Sequence, residues 1–172
     1  KTFLITLLSL TLLFSMSCSN VYKVSDDGNG DVPTAKGTPA TVGNAEFEGT
    51  LNNISLTGDG WTEDQVKALI TPFTLEILDN KIYAGTTMRG EQLLCPDSSN
   101  PNVVEANGKS ELEGGGYWQE YIKMTLDNAN SPTKATITFH FKMYEPAYAA
   151  HPTMSDTVLA IYEGDFTKKA GS

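Results

Sequence analysis

Cysteine is nearly absent. The 172 residues hold two, Cys18 and Cys95, so at most one disulfide is possible. Histidine is just as scarce, with His140 and His151 alone. Zinc chemistry wants three or four ligands, and neither histidine has a Cys or acid at telling spacing. No G-x-S-x-G elbow is present, so neither histidine has an evident nucleophile to serve. Basic residues are outnumbered, 12 against 21 acids, for a net charge of −9. Such a chain repels nucleic acid and anionic head groups, which excludes both as direct partners. No apolar run reaches the roughly 20 residues a transmembrane helix needs.

The longest apolar run comes first: KTFLITLLSLTLLFSMSCSN. One positive charge, Lys1, precedes an apolar and hydroxyl stretch from Phe3 to Met16. Small residues follow. This is a signal-peptide layout, expected to occupy residues 1–17. Its end, Ser15-Met16-Ser17-Cys18, resembles a lipobox, at which a bacterial cysteine is lipidated and becomes the new N-terminus. Ser17 fits that pattern; Ser15 stands where the family has Leu. The alternative is an ordinary signal-peptidase site using Ser15 and Ser17. If Cys18 carries lipid, Cys95 is left without a disulfide partner; the competing arrangement is a Cys18–Cys95 bridge. Losing Lys1 with the leader takes the charge to about −10, so the lipid rather than surface charge would hold the protein to a membrane. Two or three acyl chains suffice for that.

Residues 18–44 read as a lipidated cysteine and a flexible acidic tether. They are rich in Gly, Ser, Thr, Pro and Asp and poor in large apolar residues. A flexible chain of that length has an r.m.s. span of about 25–30 Å. Within it, Asp27-Gly28-Asn29-Gly30-Asp31 opens like a calcium loop, yet Val32 stands at the glycine position and Thr38 at the closing acid. The plain reading is a solvated linker. The same SDDGNGD stretch resembles the acidic segment behind the cysteine of surface-exported lipoproteins.

Residues 45–172 are expected to form one antiparallel β domain, a barrel or a sandwich with one short helix. Phe47, Gly49 and Leu51 alternate with polar neighbours. Phe73, Leu75 and Ile77 do the same, and Asp79-Asn80 then suits a tight hairpin turn into Lys81–Ala84. Tyr117–Leu126 predicts a strand with Trp118, Ile122, Met124 and Leu126 on one face. Ala135–Tyr144 predicts another, with Ile137, Phe139, Phe141 and Met143 opposite Thr136, Thr138, His140 and Lys142. The two should pair as a hairpin. A last strand is expected from Thr157 to about Thr167. Thr62-Glu63-Asp64-Gln65 matches a capping box, with Val66, Leu69 and Ile70 as an apolar stripe and Pro72 as the stop, which predicts a two-turn helix lying on the sheet.

The acids Glu111, Glu113 and Glu120 could suggest a glycosidase pair, but chance pairs are expected at this charge. Glu120 shares the parity of Trp118 and Ile122, so a buried carboxylate in need of a partner is expected. Aromatics are the stronger signal. Trp118, Tyr121, Phe139, Phe141, Tyr144 and Tyr148 are the candidate ligand-binding residues, either lining an apolar cavity or serving as core. The lipobox, the acidic tether, the opening Phe47-Glu48-Gly49 strand and the meandering hairpins together resemble the lipocalin-like small barrels of bacterial lipoproteins. The Gly-x-Trp signature is missing, since Gly49 precedes Thr50 and Leu51. The resemblance implies a cavity for a small apolar ligand and carries over no residue beyond Cys18. The expected protein is therefore a non-enzymatic, outer-membrane-anchored lipoprotein without cofactor or metal, binding a small apolar ligand. The alternative is a structural or interaction lipoprotein whose surface meets a protein or glycan.

Overall fold

The computed structural model describes residues 32–33, 41–84, 88–93, 95–96 and 99–171. For 88–93 and 95–96 only the backbone is described. Ten strands and one α-helix follow in chain order: β1 (Ala45–Gly49), β2 (Asn52–Thr57), α1 (Glu63–Ile70), β3 (Leu75–Leu78), β4 (Lys81–Ala84), β5 (Met88–Leu93), β6 (Cys95–Pro96), β7 (Val103–Glu111), β8 (Tyr117–Leu126), β9 (Lys134–Tyr144) and β10 (Thr157–Lys168). A 3₁₀ turn at Pro146–Ala150 bridges β9 and β10. All pairings are antiparallel, in the order β5-β4-β3-β1-β10-β9-β8-β7-β6, with β2 also on β10. The sheet curls until β5 approaches β7, giving a nearly closed barrel.

The central hairpin explains the curl. β8 and β9 pair in unbroken register from Tyr117↔Tyr144 to Leu126↔Ala135, and β10 continues from Thr157↔Tyr144 to Thr167↔Lys134. Strict alternation on β9 puts Ala135, Ile137, Phe139, Phe141 and Met143 on the inner side, all buried. β1 and β2 share β10 as a neighbour: β1 pairs its C-terminal part, Phe166–Lys168, and β2 pairs Leu159–Glu163. The break falls where Gly49 and Gly164 allow close approach. A Cβ on Gly49 would lie 2.5 Å from the Asp165 carbonyl oxygen, and one on Gly164 2.3 Å from that of Thr50. These are the glycines of the Phe-Glu-Gly and Tyr-Glu-Gly stretches.

The helix forms as its sequence predicts. Thr62 accepts from the Gln65 amide, and the Gln65 side chain accepts from the Thr62 amide at 2.8 Å. Glu63 and Asp64 favour the positive N-terminus. Val66 and Ile70 are buried in the barrel core, so α1 acts as a plug. Phe73, just beyond it, meets Phe139 and Phe166 edge-on at 5.2 and 5.9 Å.

The far end is closed by polar turns. Asp127 accepts from the amides of Asn128, Thr133 and Lys134 and from the Thr133 hydroxyl. The Thr133 hydroxyl, with the amides of Lys134, Thr133 and Asn128, holds the Asp127 carboxyl well below the usual carboxylate range. Gly43 donates to the Ala129 carbonyl and Asn44 accepts from the Asp79 amide. Among the described residues no helix is long and apolar enough to cross a membrane.

Candidate functional site

Strand registers stack the inward side chains in rungs. Three lie toward the end of the barrel reached by Tyr144 and Thr157. One rung is Ser110–Trp118–Met143–Val158, the next Gly108–Glu120–Phe141–Ala160, the third Ala106–Ile122–Phe139–Tyr162. Leu56 of β2 extends the middle rung beyond Ala160. On the β7 side each rung offers only Ser, Gly or Ala, so the bulk comes from β8 and β9. Trp118 stands edge-on to Phe141 at 5.9 Å. At the same end Trp61 donates to the Ser155 carbonyl and meets Tyr148 edge-on at 5.3 Å.

Three polar groups interrupt this apolar wall. Glu120 is 3% exposed, and burial pushes its carboxyl up to about 8, so near pH 7 it is mostly the neutral acid. Trp118 Nε1 is buried without a hydrogen-bond partner, and the Tyr162 hydroxyl is buried next to Asn53. Burial pushes the Tyr162 hydroxyl up; a hydrogen bond with the Asn53 side chain draws it partly back and Glu63 pushes it up again. Buried donors without partners are rare in folded proteins, and the Trp118 indole is one, standing one rung above a buried carboxyl.

The outer side of β7–β10 is built differently. Tyr121 donates to Glu105 at 2.9 Å, and burial first, then Glu105, pushes its hydroxyl up. Its ring meets His140 edge-on, and burial pushes His140 down. Tyr117 and Tyr144 pair at 5.3 Å, with the Lys109 ammonium 4.8 Å above the Tyr117 ring. Lys109 also pairs with Glu111 at 2.6 Å. Gln119 and Lys142 are buried on this face, Lys142 completely. Asn107 donates to the Pro33 carbonyl at 2.6 Å, and Val32 is buried. Part of the stretch read as a tether therefore packs on the domain.

Of the six aromatic candidates, Trp118, Phe139 and Phe141 meet inside the barrel. Tyr148 sits at its rim on the 3₁₀ turn. Tyr121 and Tyr144 lie on the outer side, as their odd and even positions on β8 and β9 require. Glu120 points inward, as its parity predicts. Trp61 and Tyr162 join the site without having been singled out. Tyr162 continues the inward alternation of Val158 and Ala160, a readable signal; Trp61 sits in a Gly-Asp-Gly turn that carries none. Cys18 and the Asp27–Asp31 stretch lie outside the described residues. His151 ends the 3₁₀ turn beside Tyr148, and His140 lies on β9 against Tyr121. Among the described residues no group of three or more His, Cys, Asp or Glu side chains could hold a metal.

No protein-family model matches the chain, and no curated protein or solved structure is significantly similar to it.

Proposed function

We propose that this is an exported protein, lipidated on Cys18 and held at the outer membrane, whose barrel binds a small, mainly apolar molecule at the Trp118 end. The observation that carries the reading is Glu120. Its carboxyl lies beneath Trp118 and beside Phe141, almost fully buried, and so places a polar group in an otherwise apolar and aromatic wall. Binding sites commonly combine aromatic walls with a few placed polar groups of this kind. The small side chains of β7 leave the aromatic side chains of β8 and β9 facing less bulk.

Native mass spectrometry of protein isolated from its own host tests this. The expected result is a retained mass of a few hundred daltons, released on unfolding, together with acyl chains on the N-terminal peptide. Protein that never carries such a mass, and takes none up from host extract, ends the ligand reading.

A second reading places the activity outside. The Tyr117–Tyr144 pair under Lys109 offers an aromatic and cationic surface suited to a glycan or an acidic protein segment. On that reading Tyr117→Ala would abolish capture of a surface partner and leave the small-molecule mass unaffected.

A further inference from the structure

We infer that the Trp118 end of the interior recognises its ligand through a neutral acceptor oxygen, a ketone, aldehyde or ether on an apolar body, which receives the indole Nε1–H. The inference rests on the interior-binding reading above and names the chemical class that reading leaves open.

The two tryptophans make the contrast. Trp61 spends its Nε1–H on the Ser155 carbonyl at 2.9 Å. Trp118 Nε1 is buried and has no partner. An indole nitrogen can only donate, so whatever completes it must accept. Two rungs deeper lies the buried Tyr162 hydroxyl, which has Asn53 as its neighbour. Between them lies Glu120, which at neutral pH is mainly an uncharged acid. A carboxylate or phosphate ligand would enter a chain of net charge −9, which disfavours anions; the neutral Glu120 adds no repulsion of its own. A hydrocarbon would leave the indole donor as it is. A neutral carbonyl or ether satisfies a donor and brings no charge. The neighbours Gly108, Ser110 and Ala160 are the smallest side chains of their rungs, so the polar end of a ligand finds least bulk beside Trp118 and Glu120.

Acetophenone and ethylbenzene are matched in shape and differ in the carbonyl. The full chain, labelled with ¹⁵N, shows two indole N–H signals, and Trp61 serves as the internal reference. The expected result is a downfield move of the Trp118 signal with acetophenone alone. Acetophenone should also bind about tenfold tighter than ethylbenzene, the worth of one well-made hydrogen bond. Trp118→Phe should bring acetophenone down to the ethylbenzene level. If the unmodified protein binds both equally and the Trp118 signal moves alike, the acceptor inference is overturned while the interior-binding reading stands. If neither binds and protein from the host carries no small molecule, both fall together.

Discussion

The buried carboxyl of Glu120 gives this barrel a pH dependence of its own. In the unfolded chain Glu120 titrates near 4.5; in the barrel burial moves it to about 8. Between those values the folded state holds a proton that the unfolded state has released. Raising the pH through that window therefore favours unfolding, and the loss is complete above about 8. The shift corresponds to roughly 3–5 kcal/mol. Thermal unfolding followed by circular dichroism should show the melting temperature falling from pH 5 to pH 8. Glu120→Gln, neutral throughout, should match the parent near pH 5 and melt higher at pH 8. Parallel curves for the two proteins would show that the carboxyl is not buried as described. Asp127 works in the opposite sense: its depressed carboxyl stabilises the β8–β9 turn above its ordinary titration range and is lost only in acid.

At the scale of elements, the strands that were legible are those whose two faces differ in bulk. β8 and β9 alternate large apolar with polar residues along ten and eleven positions, and their limits follow from that pattern alone. α1 was legible through its capping box. β7 was hidden, because its inward positions are Val104, Ala106, Gly108 and Ser110, a face too small to raise a hydrophobic period. β2 was hidden by Asn52 and Asn53, which read as turn formers. The site shows the same division: the parity of Glu120 could be read, but which rung meets which across β7–β10 is fixed by register, and register needs the partner strands. The β3–β4 turn offers a test of local reading. Asp79 and Asn80 adopt φ of 51° and 62°, the left-handed pair of a two-residue hairpin, closing Leu78 onto Lys81. Asn80 tolerates that backbone less well than glycine does, and its Oδ1 is buried without a partner. Asn80→Gly is therefore expected to stabilise the domain by about 0.5–1 kcal/mol, measurable by urea denaturation; destabilisation would mean that the amide packs better than its lone pairs suggest.

For the molecule as a whole, the decisive contact is the one between the barrel wall and the segment before it. The Asn107 amide is shared between the Pro33 carbonyl at 2.6 Å and that of Glu120 at 3.3 Å, and Val32 is buried. If Cys18 carries the proposed lipid, residues 18–31 lie between that anchor and the docked Val32-Pro33 pair, and fourteen residues reach at most about 50 Å. A barrel hung on everything to residue 44 could stand about 90 Å away. The clip thus shortens the longest possible leash by nearly half. Asn107→Ala removes the donor and leaves the Pro33 carbonyl without it, a change worth about 1–2 kcal/mol. Hydrogen exchange at the Val32 amide should then quicken about tenfold, while the amides that pair β8 with β9 keep their protection. Unchanged exchange at Val32 would show that side-chain burial, not the Asn107 bond, fixes the segment, and Val32→Asp would then be the change that releases it.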